Sequence, residues 1–96
     1  MEIRQILETK RDEILRIANA HHVCNLRVFG SVARGDSDEK SDIDFLVELN
    51  PGCGLLEHAA LVRELEQLLG RKVDVVSDKG LRQRIKDRVL REAVQI

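Results

Sequence analysis

Asp42 and Asp44 stand two residues apart in Ser41-Asp42-Ile43-Asp44-Phe45-Leu46-Val47, where every position after Asp44 and the one between the acids is apolar. Residues two apart in a strand leave the same face, with Cα atoms about 6.6 Å apart. Both carboxylates can then reach one cation or flank a pair. Taken alone, the two acids fit a solvated acidic edge strand equally well. Asp74 shifts that balance. It interrupts Val73-Asp74-Val75-Val76, a run otherwise suited to a buried strand, where an unpaired carboxylate is costly. If the two strands are neighbours, three carboxylates converge. Three hard oxygen donors with no His or Cys among them select Mg²⁺ or Mn²⁺, and such a cluster serves phosphoryl or nucleotidyl transfer.

A phosphate-binding half lies just upstream. Phe29-Gly30-Ser31-Val32-Ala33-Arg34-Gly35 reads as a strand passing through glycine into the start of a short helix. Gly30 lets the backbone approach a phosphate closely, and amides at a helix start point at it. The Ser31 hydroxyl can donate to terminal phosphates, and Arg34 adds a fixed positive charge. The plainer alternative makes Ser31 an ordinary N-cap, and Arg34 could equally brace the acidic stretch that follows it.

The elements that must position these residues follow from periodicity. Glu2 to Ala20 carries Ile3, Ile6, Leu7, Ile14 and Ala18 at helical spacing, which predicts one amphipathic helix. Cys24 to Phe29 predicts a strand, Ser31 to Arg34 a helical turn, and Gly35 to Ser41 a polar loop. Ile43 to Leu49, entered through Asp42, predicts a second strand that Asn50-Pro51-Gly52 stops. Gly54 to Gly70 predicts a long helix with Leu55, Ala59, Val62 and Leu69 on one stripe and Leu61, Leu65 and Leu68 beside it. A stripe that broad is either deeply buried or shared with a partner, and Gly70 suits the helix end. Lys72 to Val76 predicts a third strand, and Gly80 to Ile96 a last helix with Leu81, Ile85, Val89 and Ala93 four apart. The order predicts an α/β two-layer sandwich with a small sheet of three or more strands.

Composition narrows the function. Ninety-six residues predict a single domain, 1–96, and 43% hydrophobic with 34% charged residues is globular. No apolar run reaches the roughly 20 residues of a membrane span, and the charged N-terminus is unlike a signal peptide. Sixteen basic against 17 acidic residues and only two aromatics, Phe29 and Phe45, argue against nucleic-acid binding and polymerisation. Charge is nonetheless uneven: six acids crowd the span from Gly30 to Asn50, and six bases the span from Lys79 to Ile96. That last helix is either a solvated face or a surface for an anion or acidic partner. Cys24 and Cys53 read as silent free thiols in a reducing cytoplasm, and His21, His22 and His58 as surface or satisfied side chains rather than ligands.

Gly30-Ser31, ten residues, then Asp42-Ile43-Asp44 resembles the GSx10DxD signature of the DNA polymerase beta-like nucleotidyltransferase superfamily, with Asp74 matching its third carboxylate. The Gly-Ser-Val-Ala-Arg-Gly start, the Ser-Asp-Ile-Asp run and the chain length look most like its minimal nucleotidyltransferase group. The resemblance covers nearly the whole chain. It implies a mixed sheet backed by helices, with Gly30 and Ser31 holding the nucleoside triphosphate. It implies Asp42 and Asp44 as Mg²⁺ ligands, and Asp74 completing the metal site and helping to deprotonate the acceptor hydroxyl. Larger relatives append a helical domain, without which this chain ends. Members of the group are commonly paired with a HEPN-domain ribonuclease in type VII toxin–antitoxin modules, where they are antitoxins that adenylylate a toxin tyrosine using ATP. The leading expectation is therefore a Mg²⁺-dependent protein adenylyltransferase, as part of a homo- or hetero-oligomer. Two others stand beside it: an antitoxin that neutralises by binding through the basic last helix and the broad apolar helix, and nucleotidyl transfer to a small molecule with a partner subunit supplying the acceptor site.

Overall fold

The computed structural model describes residues 3–35, 42–80 and 83–96. Its elements run α1 (Ile3–Thr9), α2 (Arg11–Ala20), β1 (Val23–Phe29), α3 (Ser31–Arg34), β2 (Ile43–Leu49), α4 (Leu55–Leu69), β3 (Val73–Ser77), a 3₁₀ turn (Asp78–Gly80), α5 (Gln83–Glu92) and β4 (Val94–Gln95). The sheet order is β3-β2-β1-β4. β1 runs antiparallel to both β2 and β4, whereas β2 and β3 are parallel. Parallel neighbours need a crossover, and α4 provides it. The result is the mixed α/β sheet backed by helices that the element order predicts.

Alternation along the strands sorts the two faces. Val23, Leu26 and Val28 of β1, Ile43, Phe45 and Val47 of β2, and Val73 and Val75 of β3 join Ile14, Ala18, Leu61 and Leu65 in one buried cluster. Val23 and Leu26 both face it because the β1–β2 register slips between Cys24 and Arg27, with Asn25 at φ 51°. The intervening residues, Asp44 and Asp74 among them, are left to the opposite face. The core thus sets where the acids point: moving β2 by one residue would bury Asp44 and expose Phe45.

Three expectations need correction. The first helix is two helices that meet at Lys10, whose backbone (φ −102°, ψ 12°) leaves the helical range. The bonds from Lys10 N–H to Ile6 O and from Ile14 N–H to Lys10 O persist, so the axis bends rather than breaks. The Lys10 ammonium meanwhile donates to Leu68 O near the end of α4. The last helix stops at Glu92, and Val94 and Gln95 pair instead with Val28 and Arg27. They satisfy backbone groups that the outer edge of β1 would otherwise leave open, and Arg11 Nε donates to Ile96 O at 2.9 Å beside them. In α4 the buried stripe is Leu61, Leu65 and Leu69, whereas Leu55 and Leu56 are 83% and 86% exposed. Gly70 ends that helix in the left-handed conformation (φ 66°). Asp36, Asp38, Glu39, Lys40 and Ser41 of the expected loop, and Leu81 and Arg82 before the last helix, lie outside the described residues. No described helix is long and apolar enough to cross a membrane.

Candidate active site

β1 ends at Phe29, and Gly30 turns the chain into the single helical turn α3. Gly30 has φ 71° and ψ −146°, a region open essentially to glycine alone. It occupies the cap position with no side chain to offer, and Arg34 N–H bonds back to Gly30 O at 3.0 Å. Ser31 is therefore the first helical residue and not the N-cap, which removes the plainer reading of its hydroxyl. Val32, 1% exposed, pins the turn into the core. Ser31 remains half-buried and Arg34 exposed at the surface.

The acids assemble by register. Ile43 N–H bonds to Lys72 O at 3.0 Å and starts the parallel ladder, in which Asp44 is the partner of Asp74. On its other side Asp44 pairs with Phe29, the residue before Gly30. Adjacent strands lie about 4.8 Å apart, so the two carboxylates stand side by side on one face. Asp42 precedes β2 by one residue and is exposed. Asp74 is exposed too, which corrects the expectation of a carboxylate inside a buried strand: Val73 and Val75 are buried beneath it while Asp74 faces out. Asp44 is the half-buried member.

Burial first, then the charges of Asp74 and Asp42, raise the pKa of Asp44 above its usual value, and Arg34 opposes them. The three acids and Arg34 thus share one electrostatic neighbourhood. Among the described residues no three His, Cys, Asp or Glu side chains already form a metal cage. The donor chemistry nonetheless fits a hard divalent cation: all three are carboxylates, and their mutual repulsion is what such an ion relieves. The face is open. The cavity of about 210 Å³ beside Arg4, Leu7, Ala33 and Ile96 includes none of the three acids.

Comparison with known proteins decides the family. Residues 2–96 match the nucleotidyltransferase domain. The chain belongs to that family. This nucleotidyltransferase is 44% identical, over 95% of its own length and 97% of the relative's, to the candidate protein adenylyltransferase MJ0435 of Methanocaldococcus jannaschii. A solved structure of a candidate minimal nucleotidyltransferase superposes with a TM-score of 0.88 at 45% identity, covering 100% of this chain and 97% of that one. A toxin–antitoxin complex, MntA-HpeT carrying the Y104A change, matches at a TM-score of 0.71 and 25% identity, covering 93% of this chain and 70% of that one.

Other polar contacts of the nucleotidyltransferase escaped sequence reasoning. His21 is held between Glu57 and Glu64 of α4, with Nδ1 2.6 Å from Glu57 Oε2 and Nε2 against Glu64 Oε2. His58 Nε2 lies 2.9 Å from Val75 O, the satisfied position expected of it. Glu92 joins Arg34 to Arg88. No local pattern marks these pairs, because the partners of His21 and Arg34 lie far along the chain. Cys24 and Cys53 are free thiols, and burial, then Glu57, push the Cys53 thiol up, away from reactivity.

Proposed function

We propose that this nucleotidyltransferase moves AMP from ATP onto a tyrosine hydroxyl of a HEPN ribonuclease, and acts in the cytoplasm as that toxin's antitoxin. The observation that carries the reading is the pairing of Asp44 with Asp74 directly beside Gly30. Support for a protein acceptor and a toxin partner comes from the relative named for protein adenylylation and from the complex named as toxin–antitoxin.

In this reading Gly30 and Ser31 receive the triphosphate, the Ser31 hydroxyl donating to its oxygens while Arg34 adds positive charge at the rim. Asp42, Asp44 and Asp74 would hold Mg²⁺ or Mn²⁺. Bound there, the ion supplies charge that offsets the triphosphate and lowers the pKa of the acceptor hydroxyl. Asp74, the exposed acid, accepts the tyrosine proton and passes it to water. The phenolic oxygen then bonds to the α-phosphorus as the bond to the bridging β-oxygen breaks, and pyrophosphate leaves. The open face suits an acceptor carried on another folded protein.

A second reading has its own observation. Leu55 and Leu56 sit almost fully exposed at the start of α4, a place where a toxin could be held by contact without chemistry. Incubation with a HEPN partner and ATP labelled at either the α- or the γ-phosphate separates the two. Adenylylation places only the α-label on the partner, and neutralisation by contact leaves both labels in solution.

A further inference from the structure

We propose that Glu92 is a positioning residue of the nucleotide site, holding the Arg34 guanidinium in place from the last turn of α5. The inference rests on the proposed nucleotide chemistry and adds a residue to it from a distant part of the chain. Glu92 Oε2 lies 3.6 Å from Arg34 Nη1, and Glu92 Oε1 lies 3.4 Å from Arg88 Nε. Each oxygen faces a different arginine. Arg88, one helical turn earlier, steadies the carboxylate from the solvent side, its own side chain 72% exposed against 30% for Glu92 and 45% for Arg34.

The backbone around this contact is fixed on both sides. Val94, two residues after Glu92, pairs with Val28, two residues before Gly30. Ala93 N–H bonds to Val89 O at 2.8 Å and closes the final turn. The short strand β4 therefore docks the end of α5 against the same strand that leads into Gly30 and α3. A guanidinium carries five N–H donors in a rigid fork, so an edge held by Glu92 leaves others to face phosphate oxygens. An arginine restrained in this way loses less freedom when the triphosphate arrives. The field of Arg34 already reaches Asp44, where it favours the ionised carboxylate. Arg34 thus stands between the acid face and α5, and Glu92 sets which way it points.

The test is a double-mutant cycle on the full chain with Arg34→Ala and Glu92→Gln, read by calorimetric binding of a non-hydrolysable ATP analogue with Mn²⁺ and by steady-state kinetics. Glu92→Gln should weaken analogue binding and raise the KM for ATP about two- to fivefold, the range that exposed ion pairs reach. kcat should stay the same, because a ground-state contact has been lost. In the Arg34→Ala background the same change should do nothing further. An equal effect in both backgrounds, or tighter binding by Glu92→Gln, would overturn the proposal while leaving the nucleotide chemistry intact. Absence of analogue binding by the wild type would overturn both.

Discussion

Gly30 and Asp44 are in contact as backbone and carboxylate: a Cβ built on Gly30 would stand 2.6 Å from Asp44 Oδ2. The glycine forms one wall of the acid face, and its left-handed backbone gives a substituted residue no relief. Gly30→Ala should combine about 1–3 kcal/mol of backbone strain with displacement of Asp44. Gly70→Ala is the control, since Gly70 also has positive φ but no heavy atom lies within 4 Å of its Cβ position. Denaturant titration should show both variants destabilised, and nucleotidyl transfer should be lost from Gly30→Ala alone. Full activity in Gly30→Ala would remove Gly30 from the site.

Asp44 costs the metal-free protein stability at neutral pH. Its pKa is raised in the folded state by burial, then by Asp74 and Asp42. A raised carboxylate holds its proton better when folded. Its favourable contribution is therefore present below the unfolded value near 3.9 and is lost as pH rises through the folded value. Asp44→Asn should melt at or above wild type at pH 7 in the absence of divalent ions, and its advantage should fade toward pH 3. Melting curves at the two pH values check this, and a variant less stable at pH 7 would contradict it.

Divalent ions should reverse that ranking. An ion bound only by the folded state adds RT ln(1 + [L]/Kd), about 2.7 kcal/mol at a hundred times Kd, and triphosphate oxygens extend the coordination. Wild type should melt higher with Mn²⁺ and higher again with Mn²⁺ plus ATP. Asp42→Asn with Asp44→Asn should lose most of both shifts. A wild type that responds to neither would remove the metal from the account.

His21 is a separate pH-sensitive contact. Its two ring nitrogens face Glu57 and Glu64, and both can donate only when the ring is protonated. The bond to Glu57 chiefly raises its pKa, against a smaller opposing effect of burial, with Glu64 adding to the rise. The stabilisation is complete below the unfolded value near 6.5 and disappears as pH climbs through the higher folded value. The difference in melting temperature between wild type and His21→Gln should thus be largest near pH 6 and shrink toward pH 9. A difference that does not vary with pH would show that the imidazolium is not what joins the α2–β1 turn to α4.

Much of this arrangement was legible because strong patterns carry it. Ile43–Leu49 appears in the fold with the ends its alternation predicts, and Gly70 closes α4 where the periodicity stops. The neighbouring strands of Asp44 and Asp74 follow from two apolar runs each broken by an acid. β4 was not legible: two residues are too few to show a period, and their pairing answers a need of β1 rather than a signal of their own. The bend at Lys10 involves no Gly or Pro, and its lysine reaches a carbonyl in a different helix. Leu55 and Leu56 read as core because hydrophobicity alone cannot tell which end of a helix overhangs the sheet. Glu92 lay in a stretch read only for its positive charge, so its contact with Arg34 emerged with the tertiary fold.

Transfer itself is the most direct test of the central claim. The intact mass of a HEPN partner should be measured after incubation with ATP, Mg²⁺ and either wild type or Asp42→Asn. That substitution keeps the side-chain shape and removes one negative metal ligand. The account predicts a partner heavier by whole AMP units with wild type, carried on tyrosine, and an unmodified partner with Asp42→Asn. An unmodified partner with wild type, or equal modification by both proteins, would contradict it.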